Sequence, residues 1–90
     1  MSVGEKCDEL ERLLENELET IFPTINQEAG HVTVVLHGKR RLESRHHGRS
    51  GHLEEETLCR MLRERVGASK VTCRSGGTMF WVSFPRPPYE

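Results

Sequence analysis

Residues 31–36 have the sequence HVTVVL, in which four of the six side chains are β-branched. Such a segment is typical of a β-strand. Because apolar residues occupy consecutive positions, we expect this strand to lie at the centre of a sheet or to be covered on both sides. The rest of the 90-residue chain is interpreted around this strand.

The segment before the strand has helical spacing. An apolar residue recurs every three or four positions, at Leu10, Leu13, Leu14, Leu18 and Ile21. This pattern predicts an amphipathic helix over residues 5–22, which Pro23 would end. We expect residues 23–30 to form a loop between this helix and the strand.

The segment after the strand, residues 37–51, has the sequence HGKRRLESRHHGRSG and is called the basic segment. It has three glycines and few apolar residues, so we expect a long loop or a protruding hairpin. Ser50 is a candidate N-cap for a second helix over residues 52–66, which Gly67 would end. Residues 70–74 and 78–84 alternate as two strands around a turn at 75–77.

The predicted order is helix, strand, long basic loop, helix, strand, strand. One sheet with two helices packed on it gives a small two-layer α+β sandwich. A chain of 90 residues has room for one hydrophobic core. We therefore expect a single domain over residues 1–84, followed by an extended proline-rich tail over residues 85–90.

The formal net charge of −1 conceals a strong asymmetry along the chain. Residues 1–30 contain eight acidic and two basic side chains, whereas residues 31–53 contain five basic side chains, one acidic side chain and all five histidines. A basic, glycine-containing loop is suited to phosphate groups, because Arg and Lys donate to phosphate oxygens and glycine permits close approach. We therefore expect a non-catalytic nucleic-acid-binding domain, with RNA favoured over DNA. The candidate contacts are His37, Gly38, Lys39, Arg40, Arg41, Arg45, His46, His47 and Arg49.

Aromatic residues of the last strand are a second candidate for nucleic-acid contact. Trp81 alternates with Phe80 and Phe84, so the two sets point to opposite faces of the strand. At least one face is expected to belong to the core. The other face could stack on bases.

The alternative function is that of a protein-interaction or dimerisation module. In that hypothesis the acidic helix 5–22 docks on a protein partner, or on a second copy of the chain, through Leu10, Leu14, Leu18 and Ile21. His46, His47 and His52, together with Glu55 or Glu56, could bind zinc, but the arginine-rich surroundings favour histidines that face solvent or stack on bases. We expect no metal, no cofactor and no catalytic residue.

Other classes of protein are excluded by composition. No apolar run reaches the roughly 18 residues that cross a bilayer, so we expect no membrane partner. The acidic start resembles neither a secretory signal nor a transit peptide. Three widely spaced cysteines without a CxxC pair predict reduced thiols, with Cys59 and Cys73 in the core, and an intracellular location, cytoplasmic or nuclear.

Residues 32–84 resemble the later part of a Smr (small MutS-related) domain. The matching features are the strand ending in His37-Gly38-Lys39, the following helix, and the Gly76-Gly77 turn before the last strand. The resemblance implies nucleic-acid binding through these three residues. Nucleases of the family also carry a Leu-Asp-x-His segment before the first helix, and the sequence shows none there. The resemblance therefore implies nucleic-acid binding. It does not imply cleavage, because the aspartate and histidine of that segment are missing.

Overall fold

The computed structural model describes residues 2–46 and 48–85 and has the predicted α+β architecture. A four-stranded antiparallel sheet has the strand order β1-β2-β6-β5, and β3 and β4 form a separate two-stranded ribbon. One hydrophobic core joins the buried sides of the helices and the sheet. The elements are α1 (Val3–Leu14), β1 (Leu18–Glu28), β2 (His31–Arg40), β3 (Arg45–His46), β4 (Arg49–Ser50), α2 (Glu55–Val66), β5 (Lys70–Arg74) and β6 (Met79–Pro85).

The prediction of one helix over residues 5–22 is wrong. Helix α1 ends at Leu14, and the chain turns into the edge strand β1, which also occupies most of the predicted loop 23–30. Residues 20–25 (TIFPTI) are rich in β-branched and aromatic side chains, which favour a strand. Pro23 is tolerated because β1 pairs only with β2, and an edge strand has one side free of ladder hydrogen bonds.

Strand β2 is central, as predicted, but it continues four residues beyond Leu36. Its even-numbered residues from Val32 to Gly38 are buried, whereas the odd-numbered residues are half-buried or exposed. Of the two predicted alternatives, the position at the centre of the sheet is therefore confirmed, and cover on both faces is not seen. One face of the sheet packs on the helices, and the opposite face has no helix over it within the described residues.

The basic segment is not a single long loop. Its first four residues belong to β2, and β3 and β4 pair as a short hairpin, which agrees with the predicted alternative of a hairpin. Helix α2 begins at Glu55, three residues later than predicted, and Glu54 rather than Ser50 is its N-cap residue. Ser50 instead belongs to β4, and the backbone is still extended at Glu54 (φ −65°, ψ 149°), so the helix begins only after it.

The C-terminal half agrees closely with the sequence pattern. Gly67 ends α2 in the left-handed conformation (φ 68°), and β5 and β6 form a hairpin through residues 75–78.

The expectation of reduced core thiols at Cys59 and Cys73 is wrong, because a disulfide joins these two residues of α2 and β5. Pro85, predicted to begin the tail, is instead the last residue of β6, and residues 86–90 of the tail lie outside the described residues. Neither helix of the described chain is long and apolar enough to span a bilayer.

Candidate functional site

The sheet face opposite the helices is called the outer face. It is formed by side chains that alternate with core residues along each strand. Trp81 lies in its middle, opposite Val35 of β2 on one side and Thr72 of β5 on the other. Its ring is half-buried, and the guanidinium of Arg74 lies 5.4 Å from the ring centroid. A depression of about 360 Å³ at this position is lined by Thr33, Lys70, Thr72, Arg74, Trp81 and Ser83.

The strands that carry this face are cationic. Strands β2, β5 and β6 contain four Lys or Arg side chains and no acidic one. Three of the four, Lys39, Lys70 and Arg74, are exposed at outward positions of their strands. Acidic side chains are instead concentrated on α1, where four acidic residues accompany two basic ones. The open sheet is therefore positive on β2, β5 and β6, whereas its edge strand β1 contains Glu19 and Glu28 and no basic residue.

Two of the predicted contacts belong to the outer face. His37 and Lys39 are exposed on β2, and His37 pairs with Met79 of β6 and Phe22 of β1. Gly38 between them points to the core. A Cβ atom there would lie 3.1 Å from Leu18 Cβ and 3.2 Å from the Glu19 carbonyl oxygen. Gly38 is thus required for packing between β1 and β2, and its predicted contact with nucleic acid stays a prediction.

Two other predicted contacts, Arg40 and Arg41, are used to hold the fold together. The Arg40 guanidinium lies 3.1 Å from Glu17 Oε2 and donates to the Gly77 carbonyl oxygen (3.2 Å). The Arg41 Nε–H donates to the carbonyl oxygen of Glu15 (2.5 Å). These contacts join the end of β2 to the α1–β1 turn and to the β5–β6 turn. Positive charge in the sequence is therefore not all presented to a ligand.

Glu17 organises this end of the molecule. Its side chain is fully buried, and its carboxylate accepts from Leu53 N–H (3.1 Å) and from the Nδ1–H of His52 (2.8 Å). The Ser44 hydroxyl lies 3.1 Å from Glu17 Oε1, the oxygen that also accepts from Leu53. Burial alone would raise the pKa of Glu17, but these hydrogen bonds and the charge of Arg40 outweigh it and hold the pKa below its ordinary value. Glu17 is therefore an ionised anchor for residues 40–53.

The serine, histidine and carboxylate of this network do not form a hydrolytic triad. In a triad, the serine and the carboxylate contact opposite nitrogens of the imidazole. Here Ser44 Oγ and Glu17 Oε2 both approach Nδ1 of His52, at 3.2 and 2.8 Å. Ser44 is also buried, and its hydroxyl lies 2.6 Å from the Gly51 carbonyl oxygen. The arrangement fixes the β3–β4 hairpin against the core.

The remainder of the basic segment is placed as follows. Arg45 is exposed and lines a groove of about 490 Å³ together with Arg41, Glu15 and Glu43. The acidic side chains in this groove reduce its attraction for phosphate. His46 and Arg49 pair through their backbones, but their side chains lie outside the described part, as does all of His47. Among described residues, no three His, Cys, Asp or Glu side chains are grouped so as to hold a metal ion.

The residues predicted to bind a protein partner are mostly core residues. Leu10, Leu14 and Leu18 are at most 1% exposed, and Leu18 lies on β1 rather than on the helix. Ile21, half-buried on β1, packs against the same core. The apolar stripe of the acidic helix is therefore buried in the domain's own core.

Sequence reasoning did not include Lys70, Arg74 and Phe22 among the site residues. The alternation of Lys70, Thr72 and Arg74 places three polar side chains on one face of β5, and this pattern could have identified the first two. Phe22 had no such signal, because it was assigned to a helix.

No family model, curated protein or solved structure matches the chain, so the resemblance of residues 32–84 to a Smr domain stays a prediction.

Proposed function

We propose that this domain binds single-stranded nucleic acid, without cleaving it, on the outer face of its sheet. The observation that carries the proposal is the position of Trp81 in the middle of three strands that have four cationic and no acidic side chains. The proposed site includes His37 and Lys39 of the basic segment, together with Lys70 and Arg74 of β5.

Stacking on Trp81 is the first part of the proposed mechanism. An indole in the middle of an open sheet presents a flat surface on which any base can stack, and such stacking contributes about 1–3 kcal/mol per base. Phe80 and Phe84 are fully buried on the opposite face of β6, so Trp81 is the aromatic side chain of this strand that faces outward. A base in a duplex has both faces covered by its neighbours, which favours a single strand as the ligand.

Phosphate contact is the second part. Lys70 and Arg74 flank Trp81 on the depression described above, and Lys39 lies on the same face of β2. If each of these three cations neutralises one phosphate, the log–log salt dependence of binding has a slope of about −2 for a single strand. If all five cations of the basic segment neutralised phosphates instead, the slope would be steeper, at about −3.5.

A preference for RNA and an intracellular location complete the proposal. The hydroxyls of Thr33 and Ser83 lie 3.0 Å apart in the same depression as Trp81, where they can hydrogen-bond to a ribose 2′-hydroxyl. A cytoplasmic or nuclear location would give the domain access to RNA. The Cys59–Cys73 disulfide is more typical of oxidising compartments and does not support this part of the proposal.

The decisive experiment is a binding titration with octauridylate and its deoxy counterpart, followed by fluorescence anisotropy at several salt concentrations. The native protein should bind the ribo-octamer more tightly, with the slope given above. Trp81→Ala should weaken binding about tenfold or more, because one stacked base is lost. Lys70→Glu combined with Arg74→Glu should weaken it further and flatten the salt dependence.

Arg60→Glu combined with Arg63→Glu is the matched control. These exposed arginines lie on α2, so the double change alters the net charge by the same amount on the opposite layer of the sandwich. The control should retain nearly native affinity. Equal losses in both double variants would show a diffuse charge effect and overturn the site. A concentration-dependent dimer that Trp81→Ala dissociates, with no binding of either octamer, would make the outer face a protein interface instead.

A further inference from the structure

A second aromatic side chain lies on the outer face at the edge of the sheet. Phe22 of β1 is 61% exposed, although a phenylalanine in a domain of this size is ordinarily buried. It pairs with His37 of β2, which in turn pairs with Met79 of β6. The row of Phe22, His37 and Met79 is one side-chain step along the strands from the row that contains Val35 and Trp81.

A bulge in β1 places Phe22 on this face. The register of β1 against β2 shifts between Glu19 and Phe22, with one extra residue on the β1 side, and Thr20 has a positive φ of 50°. Without the bulge, strict alternation from Leu18 would turn Phe22 towards the helices and Ile21 outward. With it, Ile21 packs against the core and Phe22 faces outward.

The spacing of the two aromatic residues suits a ligand of unstacked bases. Trp81 and Phe22 are separated by two strand spacings and one side-chain step, which corresponds to about 12 Å. Stacked bases follow one another at about 3.4 Å. Neighbouring bases in a stack therefore cannot occupy both rings, whereas a single strand with its bases splayed apart can reach them.

We infer that Phe22 is a second stacking platform, and that the ligand of the outer face is an extended single strand that crosses the sheet from Trp81 on β6 to Phe22 on β1. This inference rests on the proposed function and deepens it by fixing the path of the strand. His37, beside Phe22 on β2, and Lys39, two residues further along that strand and opposite Glu19 of β1, supply a polar flank for the second half of the path. At the first half, Lys70 and Arg74 have the same role.

The test uses the sole tryptophan of the chain, Trp81, as a reporter of the first platform. Quenching of its fluorescence is titrated with the dinucleotide UpU and with octauridylate. The dinucleotide can fill the first platform but cannot span both rings. Phe22→Ala should therefore leave the affinity for UpU within about twofold and weaken the affinity for the octamer about tenfold, the loss expected for one stacked base.

Ile25→Ala is the matched control, because Ile25 is also an exposed apolar side chain of β1 (43% exposed) but pairs with Val34 on the core-facing side. It should bind both oligonucleotides like the native protein. If UpU quenches Trp81 and Phe22→Ala binds the octamer with native affinity, the inference is wrong and the proposed function stands. If neither oligonucleotide quenches the native protein, the proposed function fails, and the strand path with it.

Discussion

Two cationic regions of this molecule have similar composition and different uses. At the end of β2, Arg40 and Arg41 are bound to a buried carboxylate and to backbone carbonyl oxygens. On the outer face, Lys70 and Lys39 are exposed, and the contact of Arg74 with Trp81 leaves its charge open to solvent. The first region holds the domain together, and the side chains of the second are exposed on the face where we propose binding.

The difference between these regions is one of partners rather than of charge density. A buried carboxylate such as Glu17 must have cations and hydrogen-bond donors around it, since an uncompensated buried charge is strongly destabilising. The arginine nearest to it in space is therefore committed to the fold. Substitutions in the two regions should accordingly separate stability from affinity.

The largest effect is expected from Glu17→Ala. Removing the carboxylate leaves the Leu53 N–H, the Nδ1–H of His52 and the Arg40 guanidinium without their acceptor, which should destabilise the protein by about 3 kcal/mol. Urea unfolding followed by circular dichroism measures this loss. Glu17→Gln keeps one acceptor oxygen and should lose less. A change below about 0.5 kcal/mol for Glu17→Ala would show that the network does not anchor residues 40–53.

A smaller but more diagnostic effect is expected from a pair of arginine variants. Arg40→Ala should lower the free energy of unfolding by about 1.5–3 kcal/mol, because it removes hydrogen bonds to a charged group. Arg74→Ala should change stability by less than about 1 kcal/mol, the contribution of an exposed cation–π contact. In the octauridylate titration, Arg74→Ala should reduce the salt slope by about 0.7, and Arg40→Ala should leave it unchanged.

The pair is informative because both variants remove one positive charge. If Arg40→Ala flattens the salt dependence as much as Arg74→Ala does, the two regions act together in binding. The separation between fold and ligand contact drawn above would then be lost.

The smallest effect is a pH dependence of stability. The pKa of Glu17 is lower in the folded protein than its ordinary value of about 4.3. Its ionised form therefore stabilises the fold above that value, and this contribution is lost as the pH falls through the lower folded pKa. Urea midpoints of the native protein and of Glu17→Gln, measured from pH 6 to pH 3, should converge on acidification. A constant gap between them would contradict the lowered pKa.

Local patterns were sufficient to predict much of this fold. The β-branched segment at 31–36 is a central strand, the glycines at 76 and 77 lie in the turn of a hairpin, and Gly67 ends a helix. The change from helix to strand between Leu14 and Leu18 was missed because both leucines fit the same helical spacing. Apolar periodicity does not distinguish a long helix from a shorter helix followed by a strand that buries its first residue.

The candidate site was less predictable, since its selection depends on distant contacts. The alternation of Phe80, Trp81 and Val82 indicates two faces but not which one is covered. Arg40 looks like its neighbour Lys39 in the sequence, and only the approach of Glu17, Leu53 and Gly77 turns it inward. Those partners lie 13 to 37 residues away along the chain, beyond the reach of any local pattern.

The bulge at residues 20 and 21 determines which face of the sheet each later side chain of β1 points to. One additional residue opposite Gly38 decides whether Ile21 or Phe22 belongs to the hydrophobic interior. A protein with the same composition and a regular strand would have its aromatic ring hidden and its isoleucine in water. In this domain, the number of residues in an edge strand, more than their chemical type, determines which side chains are exposed on the outer face.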